Sequence, residues 1–102
     1  MNQFSSNQPN ILFIFPDQLR ADFLSSYGGK MIDTPNIDSL INGGIQYSRA
    51  YSASPLCVPA RSSLLLGMNA VKTGVLDNSK FIRPDYREMG LRTWPELLSE
   101  AG

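Results

Sequence analysis

Residues 9–18 read PNILFIFPDQ, and this stretch decides the fold class. Its centre, residues 11–15, is a continuous run of apolar, β-favouring side chains without polar alternation. Such a run is typical of a strand that is covered on both faces in a parallel α/β sheet. Asp17 follows at the carboxyl end of that strand, where open α/β sheets bind their ligands. The sequence therefore predicts an α/β fold with Asp17 at the ligand-binding edge of the sheet.

Local start and stop signals predict the elements that follow this strand. Threonine before a helix supplies an N-cap, proline fits the first helical turn, and glycine suits the position after the last turn. These signals predict a short helix in residues 18–27, a helix from Thr34 to Gly43, a strand or extended segment at 45–51, a loop at 52–59, a helix over 60–66, mostly loop over 71–90, and a helix from Thr93 to Gly102. Thr93 and Glu96 have the spacing of a capping box.

The composition is that of an ordinary soluble globular protein, with 42% hydrophobic and 18% charged residues among 102. Nine basic and nine acidic residues give no net charge, so no long-range field favours nucleic acid or an anionic membrane. The apolar run at 11–15 is far shorter than the roughly 20 residues of a membrane helix. We expect a cytoplasmic protein with a disordered tail at residues 1–8, no nucleic-acid partner and no membrane partner.

A second informative stretch is CVPAR at residues 57–61. Cys57 is the only cysteine, so it forms no internal disulfide, and it lies at or just before the start of the predicted helix at 60–66. Unpaired N–H groups and the partial positive charge of a helix start favour a sulfate or phosphate oxyanion. The alternative is a small buried cysteine, which is the usual state of such a thiol.

Three stretches together resemble the sulfatase family of the alkaline-phosphatase-like superfamily: PNILFIFPDQ at 9–18, TPNIDSL at 34–40 and CVPARSSLLLG at 57–67. The resemblance implies that residues 9–102 are the N-terminal portion of a sulfatase catalytic domain, an α/β sandwich with a mainly parallel central sheet. The helix predicted to stop at Gly102 is followed in that fold by a further strand, so the chain looks cut at this point.

The resemblance also implies the site residues. Cys57 is converted to formylglycine, the catalytic nucleophile, and Arg61 holds this nucleophile and the neighbouring groups in place. Asp17, Gln18 and Cys57 belong to a divalent metal site, with Ca²⁺ favoured over Mg²⁺ or Mn²⁺. Asn78 contacts the substrate anion or the nucleophile, although an Asp-Asn pair is equally typical of a turn. We expect Asn36 and Asp38 to be helix residues and Lys72 to be a surface charge.

The expected substrate is a small sulfate ester, and the expected macromolecular partner is a formylglycine-generating enzyme. The Asp17-Gln18 pair resembles the choline-sulfatase and phosphonate-monoester-hydrolase branches, so hydrolysis of phosphonate monoesters or phosphodiesters is the alternative. An alternative from another class is a non-catalytic, sulfatase-like binding protein, and self-association of the complete protein is left open. The chain has no histidine, so we expect the general acid and the remaining metal ligands elsewhere and no turnover by this chain alone.

Overall fold

The structure is a computed structural model that describes residues 9–102. The predicted tail at residues 1–8 lies outside the described residues. The described chain forms two compact units, one of residues 12–50 and one of residues 51–102 with residues 9–11. The α-helices of the described chain are α1 (Pro35–Asn42), α2 (Cys57–Leu66), α3 (Ala70–Thr73) and α4 (Trp94–Ala101), and two short 3₁₀ helices span Ala21–Phe23 and Ser25–Tyr27.

The strand predicted at residues 11–15 is not formed, and residues 9–102 contain no strand at all. The backbone groups of a strand need a neighbouring strand as their hydrogen-bond partner, and none of the described residues supplies one. Residues 11–15 are exposed, from 49% for Phe13 to 85% for Leu12. The rings of Phe13 and Phe15 stack with centroids 5.8 Å apart, so these alternate side chains share one face. The predicted parallel sheet therefore stays a prediction.

The extended segment predicted at residues 45–51 is likewise irregular, with a turn at Ser48 and Arg49. The short helix predicted within 18–27 is divided into the two 3₁₀ helices, and Gly28 ends the second of them with a left-handed φ of 86°. The segment predicted as mostly loop, 71–90, holds the last three residues of α3 and is otherwise made of turns and irregular backbone. Helices α1 and α4 lie where the sequence predicts them. Their start and stop signals act within a few residues and do not depend on distant contacts.

Residues 25–38 of the first unit are joined by a polar network. Thr34 precedes α1, but its hydroxyl makes no capping bond to this helix. Instead the Thr34 Oγ1 accepts a hydrogen bond from the Ser25 N–H at 3.1 Å and donates one to Asp38 Oδ1 at 3.2 Å. Asp38 Oδ1 also accepts from the backbone N–H of Ser26 at 3.1 Å and from the Ser26 hydroxyl. The Ser26 hydroxyl is the main reason that the pKa of Asp38 lies below its usual value.

Helix α2 is the centre of the second unit, and α3 and α4 pack against it. Its buried residues are Pro59, Ser62 and Ser63, and it ends at Gly67 with a left-handed φ of 63°. Val75, which follows α3, is only 1% exposed. The segment after α3 is therefore anchored within this unit.

Candidate active site

Cys57 is the first residue of α2 and is half-buried. The preceding residue, Leu56, has extended backbone angles, and its N–H donates to Ser54 Oγ at 3.2 Å. The Ser52 hydroxyl in turn donates to the Ser54 carbonyl oxygen at 2.6 Å. Hydroxyl groups thus fix the chain that leads to Cys57, as is common in serine-rich turns.

The start of α2 corrects two sequence expectations. The helix begins three residues before the predicted Ala60, because proline at residue 59 fits the first turn of a helix and does not end it. The expected row of unpaired N–H groups is not present after Cys57. The Val58 N–H donates to Asn78 Oδ1 at 3.0 Å, Pro59 has no N–H, and the Ala60 N–H donates to the Leu56 carbonyl at 2.9 Å. Attraction of an oxyanion by Val58, Pro59 or Ala60 is therefore limited to the helix dipole.

Arg61 lies four residues after Cys57 on α2 and is exposed. Side chains four residues apart lie on the same face of a helix, so Cys57 and Arg61 share one face of α2. The positions are those that the CVPAR motif predicts for a nucleophile and its supporting cation. The catalytic roles of both residues remain predictions.

Asn78, the predicted substrate contact, belongs to a turn that follows Val75. Asp77 Oδ1 accepts a hydrogen bond from the Ser79 N–H at 2.8 Å and also one from the Ser79 hydroxyl. That hydroxyl is the main cause of the lowered pKa of Asp77. The role of Ser54 was not predicted, although the serine and proline content of its loop was the available signal, whereas the turn at Asp77 and Asn78 is an alternative that the sequence left open.

Asp17 and Gln18, the predicted metal ligands, lie in the unit of residues 12–50, whereas Cys57, Arg61 and Asn78 lie in the other unit. Both are exposed and lie in a bend directly after residues 11–15. Gln18 has a φ of 55°, the left-handed conformation that residues with a side chain rarely adopt. Strained backbone of this kind clusters at functional sites.

Hard divalent cations take six to eight oxygen ligands (Ca²⁺) or about six (Mg²⁺), as a rule from carboxylates, amides and water. The carboxylate of Asp17 and the amide oxygen of Gln18 are such donors and fit part of a site of this kind. Nowhere in residues 9–102 do three histidine, cysteine, aspartate or glutamate side chains form a group able to hold a metal ion. The described residues thus offer an incomplete donor set.

No helix in residues 9–102 is long and apolar enough to cross a membrane.

Comparison with known proteins agrees with these features. Residues 9–102 match the family model of the sulfatases. Similar proteins include an N-acetylglucosamine-6-O-sulfatase of Bacteroides thetaiotaomicron, 34% identical over 95% of this chain and 16% of the relative, and an N-acetylgalactosamine-6-O-sulfatase of the same species, 37% identical over 99% and 20%. Arylsulfatase A of Bos taurus is 41% identical over 70% of this chain and 14% of its own length. No solved structure matched the chain.

The family match over residues 9–102 gives the class, that of the alkaline-phosphatase-like proteins, which implies an α/β fold for the complete domain. Within that class, the chain belongs to the sulfatase family. It spans only 16% and 20% of the lengths of the two bacterial relatives.

Proposed function

We propose that the complete protein is a sulfuric ester hydrolase and that this chain is the N-terminal portion of its catalytic domain. The observation that carries the proposal is the sulfatase match over residues 9–102, which includes CVPAR at the start of α2. In the complete domain we expect residues 11–15 to form a strand of the central sheet, with both apolar faces covered. Their present exposure is consistent with a strand whose neighbours lie outside this chain.

Cys57 is proposed to be converted to formylglycine by a formylglycine-generating enzyme. Once formed and hydrated, this group would supply one hydroxyl that attacks the sulfur atom while the S–O bond to the alcohol breaks and the alcohol leaves with a proton. Its second hydroxyl would then give up its proton, so that the aldehyde re-forms and inorganic sulfate is released. The role of this chain is to hold residue 57 in one position. The turn before it, which is bound by serine hydroxyls, and the first turn of α2 hold it there. Arg61, one turn further on, is proposed to orient the nucleophile with its permanently charged, planar guanidinium group.

Asp17 and Gln18 are proposed to hold part of a divalent metal site, to which residue 57 also contributes after modification. The oxygen donors favour Ca²⁺, with Mg²⁺ or Mn²⁺ as alternatives. When bound, such an ion polarises the ester and lowers the pKa of the nucleophile. Asp17 and Gln18 supply a carboxylate and an amide from two adjacent residues of one bend.

One observation favours a second candidate, the hydrolysis of phosphonate monoesters or phosphodiesters. Gln18 supplies a neutral amide where the common sulfatase pattern has a second aspartate, so the donor pair carries one negative charge less. Sulfate and phosphonate esters share a tetrahedral geometry and the same apparatus serves both. The sulfatase names of the relatives support the sulfate ester as the first choice.

The test is an activity screen of the complete protein, coexpressed with a formylglycine-generating enzyme, against aryl sulfates and aryl phosphodiesters. We expect faster turnover of the sulfate, and a loss on the order of 10³-fold or more in Cys57→Ala, because the nucleophile is removed. Asp17→Asn should lower both metal content and kcat, whereas Asp33→Asn, an exposed aspartate of the same unit, should change neither. Equal activity of the wild-type protein and Cys57→Ala would contradict the proposal.

A further inference from the structure

Asn78 makes one side-chain contact that its predicted role as a substrate ligand does not explain. The backbone N–H of Val58, twenty residues away in the sequence, donates to Asn78 Oδ1 at 3.0 Å. Because the N–H of Val58 is a donor, the amide oxygen of Asn78 must be the atom that faces it. The acceptor end of this side chain is thus bound to the helix that Cys57 begins.

Helix α2 needs such an external acceptor. The first N–H groups of a helix have no partner inside the helix and are usually bound by the side chain of the N-cap residue. The N-cap residue of α2 is Leu56, whose side chain has no acceptor, and no side-chain capping bond comes from this position. Asn78, which is distant in the sequence, supplies this capping acceptor instead. It binds the N–H of Val58, the residue directly after Cys57.

The turn that carries Asn78 is itself fixed on both sides. Asp77, directly before Asn78, binds the residues that follow Asn78. Its Oδ1 accepts a hydrogen bond from the Ser79 N–H at 2.8 Å, and its carbonyl oxygen accepts one from the Lys80 N–H at 3.3 Å. Before the turn, Val75 is 1% exposed and anchors the segment that leaves α3. A side chain on so constrained a turn holds its partner in place more firmly than one on a mobile loop.

We infer that Asn78 is a positioning residue, which acts on the reaction through α2 by fixing the backbone directly after Cys57, and not by contact with the substrate. The inference rests on the proposed function, because it assigns Cys57 as the nucleophile. Small displacements of a reacting group are costly: an error of about 1 Å lowers a rate by roughly 10²-fold. A fixed helix start therefore contributes directly to kcat.

Two substitutions separate this role from substrate contact. Asn78→Asp keeps an acceptor oxygen of the same reach and adds a negative charge, which a helix start tolerates well. Asn78→Ala removes the acceptor. If Asn78 positions the helix, Asp replaces it and Ala does not. If Asn78 binds the anionic substrate, Asp is the worse replacement because its carboxylate repels the anion.

Asn69 provides a matched control. Its Oδ1 accepts a hydrogen bond from the Lys72 N–H at 2.9 Å at the start of α3, and like Asn78 it is exposed. Asn69→Ala removes the same kind of bond from a helix that does not carry Cys57. It should destabilise the chain to a similar extent without altering the start of α2.

The first readout is hydrogen exchange of the Val58 amide in the complete protein, and it needs no activity. We expect about three- to tenfold faster exchange in Asn78→Ala, and wild-type exchange in Asn78→Asp and Asn69→Ala. Unchanged Val58 exchange in Asn78→Ala would overturn the inference. A wild-type enzyme without sulfatase activity would instead count against the proposed function and leave the exchange result to stand.

The second readout is steady-state kinetics of the complete protein. Asn78→Ala should lower kcat by about tenfold or more with little change in KM. Asn78→Asp should retain more kcat than Asn78→Ala, and Asn69→Ala should retain all of it. A raised KM with wild-type kcat in Asn78→Ala would identify a substrate contact and overturn the inference.

Discussion

Gln18 is the residue at which the backbone departs most clearly from an ordinary conformation. Among residues 9–102, it is the only one other than glycine with a positive φ, at 55°. For a residue with a Cβ atom this conformation costs roughly 1–2 kcal/mol. Such a cost is typically retained where the side chain has a function, which agrees with the proposed metal site at residues 17 and 18.

Substitution of Gln18 by glycine should therefore stabilise the chain while removing the proposed ligand. We expect Gln18→Gly to raise the free energy of unfolding by about 0.5–1 kcal/mol, because glycine adopts this φ without steric cost but loses more entropy on folding. The measurement is urea denaturation of the 102-residue chain, with Gln18→Ala as the control that removes the amide and keeps the Cβ. A less stable Gln18→Gly variant would mean that the left-handed backbone is not a source of strain.

The residue scale also separates what the sequence could predict from what it could not. Arg61 was predicted inside a helix and Cys57 at or just before its start, from a pattern of five adjacent residues, and the structure has both on α2. The bond between Val58 and Asn78 was not predictable, because it joins residues twenty positions apart and depends on how α2 and the turn at 77–79 are packed. The φ of Gln18 has no signal in its residue type.

At the scale of elements, the start of α4 carries a polar cluster centred on Glu96. Glu96 accepts hydrogen bonds from the Thr93 N–H at 2.8 Å, the Tyr86 hydroxyl at 2.8 Å and Arg87 Nε at 2.6 Å. These bonds, that of the Thr93 N–H above all, lower the pKa of Glu96 to about 2. Glu96 thus ties α4 to the segment before it in its ionised form.

This lowered pKa predicts a specific pH dependence of stability. Since the pKa of Glu96 falls from 4.5 to about 2 on folding, its contribution is complete above pH 4.5 and is lost as the pH falls towards about 2. The wild-type chain should be more stable than Glu96→Gln above pH 4.5, and the difference should shrink through that interval. Urea denaturation at a series of pH values measures it.

Glu100→Gln is the matched control, because Glu100 pairs with Arg92 at 2.6 Å but both side chains are about half exposed. Exposed pairs contribute little, so this substitution should change stability only slightly at any pH. A constant difference between the wild-type chain and Glu96→Gln from pH 4.5 to about 2 would contradict the assigned pKa.

Among the elements, helices were predicted better than the strand. Helices α1 and α4 were found because a threonine-proline start, a capping box and terminal glycines act within a few residues. The strand at 11–15 was predicted from its apolar run alone, but a strand depends on partners that are distant in sequence. Without such partners among residues 9–102, the run forms no strand, although the rings of Phe13 and Phe15 still stack on one face.

At the scale of the whole molecule, the described residues leave most of their apolar side chains in contact with solvent. Among the described residues, only Leu24 and Val75 are buried hydrophobic side chains, and apolar residues such as Leu12 and Ile14 are largely exposed. The bacterial relatives are about five or more times longer. We expect the rest of the proposed domain to cover this apolar surface and to supply the missing metal ligands and general acid.

The central claim is that Cys57 becomes the formylglycine nucleophile of a sulfatase. Mass spectrometry of the tryptic peptide of residues 50–61, after coexpression with a formylglycine-generating enzyme, tests it most directly. Residue 57 should have lost its sulfur and carry an aldehyde oxygen that reacts with a carbonyl reagent, and Pro59→Ala, which breaks the motif, should keep the thiol. A thiol at residue 57 throughout the wild-type protein, in cells where the enzyme converts a known sulfatase, would contradict the claim.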